Sequence, residues 1–233
     1  MVHKLFIDFG ATRTKSAVSD KDVLTDIMQY NSVSFKAGGF YEISITELLN
    51  SFQSIINFYL RNYNIKNIFL SCQMHGFALQ DNKNNFITDY VSWQDESAFL
   101  PYKGKSSYHL FESNFLQYKD LTGMRLRGCF PVVKILDFLR RNKLKQVKVL
   151  SLPEIFDFLG KSKNKVHITM AQASGCFDFD NKEFSKEILD FIRHETGCQI
   201  IFNEPTENID ISSVLNINGK SINLFSGVGD HQA

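Results

Sequence analysis

The chain has 233 residues, with 26 Lys and Arg against 25 Asp and Glu, and a net charge of +1 excludes an electrostatic case for nucleic acid or a polyacidic partner. Its 43% hydrophobic content, with 22 Phe, is that of a chain that buries a core and excludes a disordered protein. Length alone admits one or two domains.

Lys4 to Gly10 is a short apolar run closed by a glycine and predicts a buried strand. Lys15–Ser19 and Asp26–Ser32 predict two more strands around the charged turn Asp20-Lys21-Asp22, so the chain opens as a β-meander. Thr46–Tyr63 predicts a helix: Leu48, Leu49, Phe52, Ile55, Ile56, Tyr59 and Leu60 recur at i, i+3, i+4 spacing. Thr46 is the expected cap, and Gly38-Gly39 lies upstream. Lys66–Cys72 is the next apolar strand. Phe77–Gln80 and Ile87–Trp93 alternate as strands around the turn Asp81–Asn85. Glu96–Lys119 has no clear period and reads as loops with a short helix. Pro131–Arg141 predicts a helix with Val132, Val133, Ile135, Leu136 and Leu139 apolar. Lys148–Leu152 reads as a strand and Pro153–Leu159 as a helix with Pro at its first position. Phe184–Thr196 is a helix stopped by Gly197, and Val214–Phe225 carries two strands around Asn218-Gly219. Grouped strands with interspersed helices give an α/β or α+β class with a mixed sheet.

Cys72, Cys129, Cys176 and Cys198 lie at wide, irregular gaps with no C-x-x-C pair. Neither a disulfide framework nor a clustered zinc site is indicated, and reduced thiols are expected. Asp8 comes too soon for a signal peptide, and no apolar run approaches the roughly 18 residues a membrane span needs. A soluble, cytoplasmic chain without a membrane partner is expected.

Three constellations carry chemistry. The first is Asp8-Phe9-Gly10-Ala11-Thr12-Arg13-Thr14-Lys15, where an apolar strand ends. A carboxylate inside such a strand calls for a partner or a metal. Gly10 permits a tight turn, and Ala11, Thr12 and Thr14 keep it small enough for backbone N–H groups to approach an anion. One reading is a phosphate-binding hairpin turn with Asp8 near a magnesium ion. The other is a strand-edge Asp followed by an ordinary turn. A P-loop is absent. The second constellation is Met74-His75-Gly76, which follows a buried strand, with Trp93-Gln94-Asp95 beyond it. His75 suits a hydroxyl-rich ligand and Trp93 a sugar face, although a water-exposed loop histidine and a core tryptophan fit equally. The third is Gly227-Val228-Gly229-Asp230-His231-Gln232-Ala233. Here Asp230 can accept a proton from a substrate hydroxyl, with His231 and Gln232 orienting it, or the segment is a frayed terminus.

In this order the motifs resemble those of the FGGY family of carbohydrate kinases. Asp8 to Lys15 looks like that family's first phosphate motif. Ser71 to Gly76 is similar to the Ser-Gly-Gln-Met-His-Gly of its xylulokinase-like members, and Trp93-Gln94-Asp95 to its Trp-x-Asp element. Ala171 to Phe179 looks like the segment where Ala-Ser and a Phe-Asp pair recur, and Gly229 to Ala233 resembles Gly-Asp-x-Gln-Ala. Cys72 stands where a Gly is usual, and Ala11 where Thr is common. The resemblance implies an actin-like ATPase (ribonuclease-H-like) domain, a mixed β-sheet flanked by helices. Residues 1–233 would be its N-terminal sugar-binding domain, with the nucleotide-binding domain outside this chain. It implies Asp230 as general base and Asp8 as the acid near Mg²⁺. Gly10, Ala11, Thr12, Thr14 and Lys15 would lie around the phosphate of ATP. Met74, His75, Gly76, Trp93, Asp95 and Asp230 would hold a small ketose or polyol. A companion half or a second copy of the chain stays open as partner. The alternatives are a non-catalytic carbohydrate-binding or regulatory module and, ranked last, an actin-like assembly ATPase.

Overall fold

The computed structural model describes residues 2–21, 23–35 and 41–230. Asp22, Gly38, Gly39 and the His231, Gln232 and Ala233 of the last motif lie outside the described residues.

The meander is present as β1 (His3–Phe9), β2 (Arg13–Asp20) and β3 (Val23–Asn31), paired antiparallel. Along β1, Leu5, Ile7 and Phe9 turn inward, whereas Lys4, Phe6 and Asp8 point to the other face. Helix α1 (Ile45–Leu60) lays Leu48, Phe52, Ile55, Ile56 and Tyr59 on the inward face. Its cap is Ser44, not Thr46: the Glu47 N–H donates to Ser44 Oγ at 3.4 Å. Ser44 still has a non-helical backbone, which a capping hydroxyl requires, while Thr46 is already inside the first turn. The α1 crossover brings β4 (Ile65–Cys72) back parallel to β1.

Beyond β4 the chain builds a second unit. It comprises β5 (Ala78–Gln80), α2 (Ser107–Asn114), α3 (Tyr118–Thr122), α4 (Pro131–Arg141) and β6 (Gln146–Leu150). After α5 (Leu152–Phe156) and α6 (Ile168–Ala173), α7 (Lys186–Thr196) and β7 (Gln199–Ile201) complete it. The stretch 96–119, aperiodic in sequence, holds a 3-10 turn, α2 and the start of α3. Phe111, Phe130, Val133, Leu136, Val147, Ile188 and Ile192 form the core of this unit. The hairpin β8 (Ile211–Ile217) and β9 (Lys220–Phe225) then returns to the large sheet, followed by β10 (Val228–Gly229). The large sheet runs β8–β9–β4–β1–β2–β3, and β10 continues along the edge of β4 that β9 began. A small sheet runs β7–β6–β5. The class is mixed α/β. Among the described residues no helix is long and apolar enough to cross a membrane.

Helix α5 wedges Phe156 against Phe9 and Phe52, with ring centroids 4.8 and 4.4 Å apart. It also buries two acids. Glu154 accepts from the Ser151 N–H and from Asn203 Nδ2, each at 2.7 Å, and Asp157 accepts from Ser212 Oγ at 2.7 Å. Burial pushes both carboxyls up to about 7, against the pull of these hydrogen bonds. From about pH 4.5 to 7 the unfolded chain has released these protons while the folded chain keeps them, so rising pH favours unfolding. At about 1.4 kcal/mol per pKa unit, the fall amounts to a few kcal/mol for each group. Urea unfolding of Glu154→Gln/Asp157→Asn across this window is expected to show a flatter pH dependence than wild type; parallel curves would refute the assignment.

Candidate active site

Strand register places the acids. In the parallel trio β1, β4 and β10, Asp8 is level with Ser71 and Ser71 with Val228. Phe9, Cys72 and Gly229 form the next row. The Asp230 N–H donates to the Cys72 carbonyl, and the Gln73 N–H to the Phe9 carbonyl, each at 2.9 Å. Asp8 and Asp230 therefore both stand at the carboxyl end of the parallel strands, where open α/β sheets receive ligands. The buried Cys72 thiol sits by both: burial pushes it well up, and the charges of Asp8 and Asp230 push it further.

The Met74-His75-Gly76 loop lies on this end. A Cβ on Gly229 would come 2.7 Å from Met74 Sδ, and one on Gly76 would come 2.1 Å from Tyr90 Oη, so both glycines mark close approaches. His75 takes the left-handed region at φ 62, and its Nδ1 lies 2.9 Å from the Ala173 carbonyl. A carbonyl only accepts, so Nδ1 carries the proton. The Gly229 N–H donates to Thr169 Oγ1 at 2.9 Å, which ties α6 to the same corner. Gln73 Oε1, Tyr90 Oη and Asp230 Oδ1 are buried without a hydrogen-bond partner among the described residues. Buried polar atoms are rarely left so, and these suit a ligand with hydroxyls. Burial and the charges of Cys72 and Asp230 raise the Tyr90 hydroxyl well above its usual range.

Trp93 is 41% exposed, so its ring has an open face. Asp95 is 4% exposed and Oδ1 accepts from the Ser97 N–H at 3.0 Å and from the Ser97 hydroxyl. That oxygen braces its own turn. Lys134 is absent from the sequence-derived site: its Nζ donates to the Ser92 carbonyl at 2.7 Å and to the His75 carbonyl at 3.2 Å. The available signal was a lysine flanked by the apolar positions Val133 and Ile135.

The Gly10–Lys15 turn is held by Ser32, whose Oγ donates to the Gly10 carbonyl at 2.7 Å and whose N–H donates to the Thr12 carbonyl at 3.1 Å. A Cβ on Gly10 would come 2.8 Å from the Arg13 carbonyl. Ala11 is half-buried, and Thr12 and Lys15 are exposed, with Lys15 directly across from Asp8. Thr14 differs from the expectation. It is 1% exposed with its hydroxyl 3.3 Å from Ser32 Oγ, because strand alternation turns it away from the face of Lys15. It braces the turn. Among the described residues no group of three or more His, Cys, Asp and Glu could hold a metal. Mg²⁺ keeps water and substrate phosphates and needs only one or two protein carboxylates, so the half-buried Asp8 fits it.

Gly76→Ala is expected to cost about 1–3 kcal/mol through the forced shift of Tyr90. A lower urea midpoint checks this; an unchanged midpoint would show that Tyr90 yields freely.

The sequence signature of the FGGY family of carbohydrate kinases, N-terminal domain, matches residues 4–198. No curated protein sequence matches the chain. Solved structures share the fold. Ligand-bound xylulose kinase from Lactobacillus acidophilus superposes with a TM-score of 0.78 at 18% identity, covering 99% of this chain and 48% of that one. Gluconate kinase from the same organism gives 0.76 at 18%, covering 98% and 48%. Plasmodium falciparum glycerol kinase with ADP gives 0.75 at 16%, covering 100% and 49%. The chain spans about half the length of each, and its fold is the actin-like ATPase fold of these sugar kinases.

Proposed function

The chain belongs to the FGGY family of carbohydrate kinases, and we propose that it is the sugar-binding, base-carrying half of an ATP-dependent kinase acting on a small ketose or polyol. The observation that carries this reading is the level register that sets Asp8 and Asp230 on either side of Cys72. Phosphoryl transfer needs charge neutralisation, in-line positioning and a group to take the hydroxyl proton. Asp230, with one buried oxygen unpartnered among the described residues, takes the proton from the accepting hydroxyl. Asp8 would hold Mg²⁺, which when bound would supply charge neutralisation at the transferring phosphate. The turn Gly10-Ala11-Thr12 offers backbone N–H groups beside it and Lys15 a positive charge. Met74, His75, Gly76, Trp93 and Asp95 line or support the sugar side. A carbonyl-fixed imidazole and an open indole face suit a polyhydroxylated ligand. That xylulose, gluconate and glycerol kinases share the fold supports this substrate class.

The half-length span favours a second requirement, a companion segment that completes the nucleotide wall. With that half supplied, D-xylulose- or glycerol-dependent ATP turnover is expected. Asp230→Asn should lower kcat by about 10²–10⁴-fold while leaving sugar affinity within a few-fold. Turnover untouched by Asp230→Asn would dismiss the base. Calorimetric sugar binding without turnover beside the companion half would instead make the chain a carbohydrate-binding module.

A further inference from the structure

Lys134 has no part in the proton and phosphate chemistry. On α4, Val132, Val133, Ile135 and Leu136 all enter the second core, and Lys134 stands among them at 2% exposure. A buried ammonium is tolerated only when its donors find acceptors. Its Nζ lies 5.6 Å from the centroid of the Phe77 ring and spends hydrogen bonds on the Ser92 and His75 carbonyls. These carbonyls belong to separate loops. Ser92 immediately precedes Trp93, and His75 carries the imidazole proposed to face the sugar. His75 also holds a left-handed backbone, which a non-glycine residue keeps only where its surroundings impose it. Among the contacts that do so are its ring on the Ala173 carbonyl, its own carbonyl on Lys134 and the Phe130 ring beside it.

We propose that Lys134 is a positioning residue whose ammonium clamps the His75 and Ser92 carbonyls and thereby sets the spacing between His75 and Trp93. The proposal rests on the reading of these two residues as a sugar site. Burial pushes the ammonium down to about 8, with the Asp95 carboxylate opposing the fall, so the clamp is charged at neutral pH. Charge-assisted bonds to two carbonyls are directional, which an apolar side chain of equal length is not.

The test is Lys134→Met, read through Trp93, the only tryptophan in the chain. Lys134→Met removes the donor of the Ser92 and His75 carbonyls, so the melting midpoint should fall modestly while the variant stays folded. Acrylamide quenching of Trp93 should increase about twofold as the loop opens locally. Affinity for D-xylulose or glycerol by calorimetry, whichever binds wild type, should weaken about tenfold. Unchanged quenching would overturn the clamp. If neither sugar binds wild type but quenching rises in the variant, the clamp stands and the sugar reading falls. Should Lys134→Met not fold, Lys134→Gln keeps an N–H donor for one carbonyl, and an intermediate rise in quenching supports the clamp. Loss of folding in both would make Lys134 a core support and overturn the proposal.

Discussion

Parallel pairing of β4 with β1 on one side and β10 on the other is the constraint on which the site depends. Parallel strands end at the same side of a sheet, so residues distant in sequence become neighbours once their registers agree. Asp8, Ser71 and Val228 form one row, and Phe9, Cys72 and Gly229 the next. A slip of one residue in either pairing would turn Asp8 or Gly229 to the wrong face. The inward residues guard against such a slip. Leu5, Ile7 and Phe9 on β1 and Ile68, Leu70 and Cys72 on β4 pack beneath α1 and α5, and their burial specifies the register.

The loops above that end hold one another by contact. Met74 closes over Gly229, Gly76 lets Tyr90 approach, Thr169 takes the Gly229 N–H, and His75 leans on Ala173. The Thr169 and His75 contacts tie α6 to β10 and to the loop after β4. This corner lies where two hydrophobic cores, each with its own buried residues, come together. The proposed sugar residues lie on this junction, whereas the proposed phosphate turn lies on the first unit alone.

What was legible in the sequence follows from range. The strands β1 and β4, the helices α1, α4 and α7, and the Gly-terminated motifs announce themselves through local period and turn chemistry. Ser44 in place of Thr46 as the cap was hidden because both are good capping residues, and only the backbone at 44 decides. Thr14 belonged to a motif, but strand parity, set by pairing with β1 and β3, sent its hydroxyl inward to Ser32. The region 96–119 carries no period because its helices are short: α2 buries only Ser107 and Phe111. Lys134 was invisible as a site residue because its acceptors are backbone carbonyls, which any sequence supplies.

The outward row of β1 bears on the metal role proposed for Asp8. Phe6, Phe69 and Phe225 stack across β1, β4 and β9 with centroids 5.3 and 4.4 Å apart, so the face leading to Asp8 is apolar. Asp8, Lys15, Ser71 and Val228 stand at one end of a groove of about 440 Å³ whose other lining includes Phe6, Leu24, Ile27 and Phe69. Charges interact more strongly beside such surroundings than in open water, because less solvent is free to screen them. Alternation thus does two jobs with one strand: its inward residues fix the register, and its outward residues lower the polarity around the carboxylate. An acid at an inward position, such as Ile7, would be buried among Phe9, Phe52 and Phe156 and driven neutral, with no charge left to hold a metal.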